Sequence, residues 1–388
     1  MIYWDYNAAA PLRPEVSELL AHTYSQGGFG NASSVHAAGR EARARLDVAR
    51  ARVARVLGCE PKEVCFTASG SESNALALRG AFAARANPER RRVVSSTIEH
   101  PATLAALAQL EREGAEVIRV APRADGHVPL EALLEALTPD TALCSLMWAN
   151  NETGVLQPVA ELARACRQRG ILFHTDAVQA AGKVPLTLRE VDADLLSLSA
   201  HKFGGPQGAA VLVVRKGVDL RALVPGHQEG GRRGGTQNVP AVEALALALE
   251  LAATEQRECA EQQGALRDLF ERELRTCLPG VIVNGGGAPR VPNTSNVRFE
   301  GVEAETLLMA LDLEGICASS GAACASGTLT PSHVLLAMGL SPTQARASVR
   351  FSVGPGTTRQ EVEHVVRALR THVPRVRAVT EAPVSRSA

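Results

Sequence analysis

The sequence predicts an α/β protein in which a mainly parallel seven-stranded sheet lies between helices, joined to a smaller α+β domain. Three observations predict it. Between about residues 64 and 215, short apolar runs alternate with longer amphipathic stretches, the rhythm of parallel strands with helical crossovers. Several of those runs end in polar residues that would meet at one edge of such a sheet. Beyond about residue 255 the rhythm gives way to a long amphipathic stretch and a few isolated strand-like pieces.

The seven strands are expected at 63–67, 93–97, 116–120, 142–149, 171–176, 195–199 and 209–215, with helices such as 72–85, 102–113 and 159–169 between them. A Gly/Arg-rich connection, 225–238, precedes a strongly apolar helix at 240–254 and a separate amphipathic helix at 255–275. The second domain then offers strands at 280–284, 294–299 and 347–353 around a small-residue loop, 319–331. The large domain is placed at 14–255, the small domain at 1–13 and 256–378, and a flexible tail at 379–388.

Composition narrows the class of partner. With 388 residues, 45% of them apolar, the chain can bury a large core. Its 41 Lys and Arg balance 41 Asp and Glu without a long run of one sign, so no direct nucleic-acid or anionic-membrane footprint is visible. No stretch approaches the roughly 18 to 20 apolar residues of a membrane span. The start, Met1-Ile2-Tyr3-Trp4, has neither a signal-peptide nor a transit-peptide pattern, which points to the cytoplasm. The eight cysteines form no CxxC pair, arguing against a structural zinc site or a disulfide framework and for a reducing compartment.

Asp176 and Lys202, each at the end of an expected strand, supply two things a pyridine aldehyde cofactor requires. Lys202 offers an amine for a Schiff base, and Asp176 a carboxylate beside the ring nitrogen that keeps the ring an electron sink. Taken singly they could equally be a helix cap and a solvated lysine. Lys202, however, follows an apolar strand and precedes Gly204-Gly205-Pro206, where backbone can approach a ligand closely. Gly70-Ser71-Glu72-Ser73 follows a strand and opens a helix, so its free amides could hold a phosphate or simply be capped locally. Cys324 lies in Ser320-Gly321-Ala322-Ala323-Cys324-Ala325-Ser326, a loop too small and polar for a core. About a few per cent of a free thiol is thiolate at pH 7, and that fraction is strongly nucleophilic. Arg350, inside an alternating strand, either faces inward toward a carboxylate or phosphate, or outward to water. His100 could stack on a ring, move protons or cap a helix.

Together with Asp5-Tyr6-Asn7-Ala8, Phe29-Gly30-Asn31, Asn150-Asn151-Glu152-Thr153-Gly154, His174-Thr175-Asp176, Ser199-Ala200-His201-Lys202 and Arg233-Gly234-Gly235-Thr236, these motifs resemble the NifS/IscS-type cysteine desulfurases. That group belongs to the class V aminotransferase family of fold-type I pyridoxal 5'-phosphate (PLP) enzymes, and the resemblance runs from Tyr3 to about Arg370. It implies an aspartate-aminotransferase-like fold and a homodimer. It implies that Lys202 carries PLP, Asp176 pairs with the pyridinium, Gln179 bonds the phenolic oxygen and His100 stacks on the ring. Gly70, Ser71, Ser199 and His201 would hold the phosphate, with Thr236 reaching across from a neighbouring subunit. Asn151 and Arg350 would grip the carboxylate of L-cysteine, with Asn31 near it. Lys202 would move the α-proton, and Cys324 would take the sulfur as a persulfide for an acceptor protein, an iron-sulfur scaffold or a thiolation carrier.

The stretch from Cys324 to His333 resembles the long-loop subgroup. Departures from the family pattern are Ala9-Ala10 for Thr-Thr, Trp148 for His and Gly230 for Arg, and the tail does not match the segment that docks scaffolds in relatives. Other class V activities, a selenocysteine lyase or an aminotransferase, and an inactive assembly partner are the competing readings.

Overall fold

Seven strands carry the large sheet in a computed structural model that describes residues 1–27, 29–85, 87, 89–320 and 330–381. With β1 at Ile2–Tyr3, they are β2 (Val64–Thr67), β3 (Arg92–Ser96), β4 (Glu116–Val120), β5 (Thr141–Ser145), β6 (Leu172–Asp176), β7 (Leu195–Ser199) and β8 (Ala210–Val214). Their order is β2-β8-β7-β6-β5-β3-β4, and only β8 runs against its neighbours. The central strands β5 to β8 are buried along their whole length, as near-continuous apolar runs covered on both faces must be. One sheet-spanning link is polar: His174 on β6 bonds Ser145 on β5 at 2.9 Å and Ser197 on β7 at 3.0 Å. Burial pushes its pKa down to about 3, so it serves as a neutral connector.

Beyond the sheet come β9 (Val281–Asn284), β10 (Thr294–Phe299), β11 (Ile316–Cys317) and β12 (Ser348–Ser352). An antiparallel sheet β12-β10-β9 backs a second core, while β1 pairs in parallel with β11. The second core contains Trp4, Phe270 and Phe351 in mutual edge-to-face contact, with centroids 5.0 to 6.2 Å apart.

Several boundaries differ from the sequence expectation. The expected strand at 142–149 ends at Ser145, and beyond it the Met147 amide turns to a side chain, donating to Glu99 Oε1 at 3.1 Å. The expected helix at 72–85 starts earlier and is not uniform: Gly70–Ala75 is α-helical, Leu76–Gly80 is π-helical and Ala81–Arg85 is α-helical again. The two helices expected at 240–254 and 255–275 are one, Val239–Cys277, capped by Asn238, whose side chain accepts from Ala241 N at 3.2 Å. Its first half packs in the large core and Phe270 and Leu274 in the second. Val334, Leu335, Met338 and Ala345, placed by sequence with the small domain, pack into the large-domain core. The last helix, Arg359–Glu381, continues past Ala378, where a tail was expected to begin.

Candidate active site

Strands β2, β3, β5, β6 and β7 point the same way, so their carboxyl ends converge, where open α/β sheets bind ligands. A cavity of about 470 Å³ opens there, lined by groups from all five ends and by Asn7 and Arg350 from outside the sheet.

Lys202 ends a short helical turn, Ala200–Lys202, that directly follows β7. The turn is followed by Gly204 at φ +85°, where a side chain would also strike Arg13 Cγ at 2.6 Å, so only glycine continues the chain there. The Lys202 amine donates to the carbonyls of Asn7 at 2.8 Å and Ala8 at 2.6 Å. Burial, and next the Arg350 charge, lower its pKa to about 8, with Asp5 and Asp176 pulling the other way.

Asp176 is the last residue of β6 and is buried. Its Oδ1 accepts from Val178 N at 3.0 Å and its Oδ2 from Asn74 Nδ2 at 2.6 Å. Across the cavity, helix Gly70–Ala75 begins with Ser69 as cap, accepting from Glu72 N at 3.1 Å. That leaves the amides of Gly70 and Ser71 without intrahelical acceptors. Ser199 Oγ and His201 Nδ1 lie 3.0 Å apart nearby, and burial holds the His201 pKa down to about 4.

At the other end Arg350, on β12, faces inward and is almost wholly buried, which settles the alternative its sequence left open. It donates to Asp5 Oδ1 at 2.6 Å and to Asn151 O at 3.1 Å. Among the described residues, its Nε and the Asn151 Oδ1 are buried without a partner. His100 caps helix Pro101–Arg112, accepting from Ala102 N at 3.1 Å, and also lines the cavity. Burial lowers its pKa, as do Lys202 and His333, against Asp176.

These residues fit PLP: an amine, a buried carboxylate, an amide-rich helix start with hydroxyl and imidazole neighbours, and a histidine face surround one cavity. The unpartnered Arg350 Nε and Asn151 Oδ1 leave bonding capacity at its other end. Among the described residues no cluster of three or more His, Cys, Asp or Glu could hold a metal.

Asn31 and Thr236 are exposed and line no part of this cavity within the single chain. Cys324 lies outside the described residues. Just beyond it, Ser332 Oγ donates to Glu152 Oε2, and His333 Nε2 donates to Glu99 O at 3.0 Å, anchoring that end of the loop to the large domain. Burial raises the Glu99 pKa to about 8 and the Glu152 pKa to about 7. Sequence reasoning gave no role to Asn7, Asn74 or Lys183. Asn7 does stand in a motif, but its partners Thr294, Asn293 and Lys183 are remote in sequence.

Residues 2–365 match the family described as aminotransferase class-V, whose members' chemistry implies dependence on PLP. A cysteine desulfurase from Cereibacter sphaeroides is 44% identical over 385 residues, covering 98% of this chain and 97% of that one. A solved NifS-like protein superposes with a TM-score of 0.89 at 34% identity, covering 96% of this chain and 99% of its own. A structure described as SspA in complex with cysteine gives 0.81 at 32% identity, covering 92% and 100%. The family match and the identity over nearly the whole length establish that the chain belongs to the class V aminotransferase family, among its cysteine desulfurases.

Proposed function

We propose that the protein converts L-cysteine to L-alanine and carries the sulfur as a persulfide on Cys324, using PLP held on Lys202, for an acceptor protein in iron-sulfur cluster assembly or in tRNA or cofactor thiolation. The observation that carries this reading is the pairing, in one cavity, of a lysine amine whose pKa is about 8 with an inward-facing arginine whose Nε has no partner among the described residues. The relatives named cysteine desulfurase, and one solved with cysteine, support the substrate.

PLP bound there supplies an electron sink that weakens the bonds at the substrate α-carbon. Asp176 would hold the ring nitrogen, Gln179 the phenolic oxygen, and His100 would stack on the ring. Gly70, Ser71, Ser199 and His201 would hold the phosphate, joined by Thr236 of a second subunit in a homodimer. Arg350 and Asn151 would take the substrate carboxylate, with Asn31 near it. The Lys202 amine would take the α-proton. Cys324, as thiolate, attacks the substrate sulfur; an S–S bond forms, the C–S bond breaks, and its electron pair stays with carbon, which is protonated to give alanine. No outside oxidant is needed. The seven described cysteines are free.

The test is Cys324→Ala. Alanine release from cysteine, with a small thiol as acceptor, is expected to fall at least about 100-fold while the visible absorption of bound PLP is retained. Undiminished release would remove Cys324 from the reaction.

A further inference from the structure

Lys183 has no part in the reaction described above. It is only 7% exposed, and its amine bonds two amide oxygens, Asn7 Oδ1 at 2.7 Å and Gln179 Oε1 at 2.5 Å. Lys202 borders both the active-site cavity and a second one of about 340 Å³, to which Lys183 belongs. The side chains of Asn7, Gln179 and Lys183 thus form a connected wall behind the reactive amine.

Asn7 is the hub of that wall. Its Oδ1 also accepts from Asn293 Nδ2 at 3.1 Å, and its Nδ2 donates to Thr294 Oγ1 at 2.9 Å and Asn151 O at 3.2 Å. Its carbonyl accepts both from Lys202 and from Gln179 Nε2, at 2.8 and 2.9 Å. An amide can be turned either way unless its neighbours forbid it, and a lysine engaged as donor can meet only the oxygen end.

We propose that Lys183 is a positioning residue for the reactive amine: by donating to Asn7 and Gln179 it fixes the sense of both amides. It thereby holds the side chain of Asn7, the residue whose main-chain carbonyl takes the Lys202 amine, and fixes the N–H that Gln179 donates to that carbonyl. Burial, reinforced by the Lys202 and Arg350 charges, holds the Lys183 pKa well below its ordinary value, and no acidic side chain offsets this among the described residues. The residue therefore acts as a hydrogen-bond donor from within the wall and not as half of an ion pair.

The proposal rests on the assignment of PLP to Lys202, and the experiment separates the two. PLP affinity, the pH midpoint of the bound cofactor's visible band, kcat and KM, and the melting temperature of the apoprotein are measured for the wild type, Lys183→Met, Gln179→Met and the double variant. Lys183→Met is expected to weaken PLP binding at least tenfold, move the pH midpoint and lower kcat more than KM, with melting changed little. Because Lys183 and Gln179 bond each other and both bond Asn7, adding Lys183→Met to Gln179→Met should cost less than a further threefold.

Wild-type affinity and midpoint in Lys183→Met would overturn the proposal, as would fold-losses that multiply in the double variant. If Lys183→Met does not fold, Lys183→Gln, which keeps an N–H donor on a shorter side chain, is expected to bind PLP more weakly than the wild type and to move the midpoint. Wild-type values for Lys183→Gln in both readouts would equally overturn it. A wild-type protein with no visible band after PLP, or a band surviving Lys202→Ala, would instead defeat the assignment of the cofactor to Lys202.

Discussion

A lysine amine with a pKa of about 8 is half neutral at that pH, whereas an ordinary lysine of pKa ~10.4 is only about 0.4% neutral there. Since the neutral amine is the nucleophile, the rate at which apoprotein captures PLP should climb to about pH 8 and then level off. Arg350 lowers the Lys202 pKa, so Arg350→Met should shift that midpoint upward; stopped-flow absorbance across pH would show it. A midpoint unmoved by Arg350→Met would mean that burial alone sets it. Glu99 illustrates the opposite sign. Its folded pKa, raised to about 8 by burial, lies above that of the unfolded chain. Between about pH 4.3 and that value the unfolded chain binds fewer protons, so the contribution of Glu99 to stability is present in acid and lost as pH rises. Glu99→Gln should therefore flatten the fall in urea stability of the apoprotein between pH 5 and 8, and an unchanged slope would locate that fall elsewhere.

Among the elements, the short helix Gly70–Ala75 makes the most specific demand. A Cβ at Gly70 would meet Val178 Cγ2 at 3.0 Å and Ser199 Cβ at 3.3 Å, both beside the proposed phosphate end. Gly70→Ala should fold, but bind PLP about tenfold more weakly, equivalent to ~1.4 kcal/mol, in a fluorescence titration. The strands that carry this edge were legible because fully covered parallel strands are written as apolar runs with polar ends. The reversal of β8 was not, since a buried strand reads alike in either direction. Helix Val239–Cys277 was divided in the sequence reading because its composition changes near residue 255. That change marks a passage from one core to another, and no glycine or proline interrupts the chain there.

For the whole molecule, what could be read was the set of groups that the chemistry names, above all Lys202, Asp176 and Arg350. What could not be read was how they are held, because Asn7, Asn74 and Lys183 acquire meaning only through remote contacts. Asn31 and Thr236 are exposed, and Phe29 and Val35 beside Asn31 are 73% and 89% exposed, unusual for apolar side chains left to water. A second copy covering this face would explain both. Light scattering should give twice the protomer mass, and Phe29→Asp should reduce both the dimer and PLP affinity. A monomeric wild-type protein that binds PLP normally would remove Thr236 from the cofactor site.

The residues on which the Lys202 amine rests belong to the seventh and eighth positions of the chain, and Asn7 is itself held by Ser352, as Asp5 is by Arg350. Synthesis proceeds from the amino terminus, at about 5 to 20 residues per second. The large sheet can therefore form while the segment that finishes its pocket still waits for β12 to leave the ribosome. A nascent chain holds the reactive lysine long before it holds the surroundings that tune it, so the competence of this protein waits on β12 and not on the folding of its larger half.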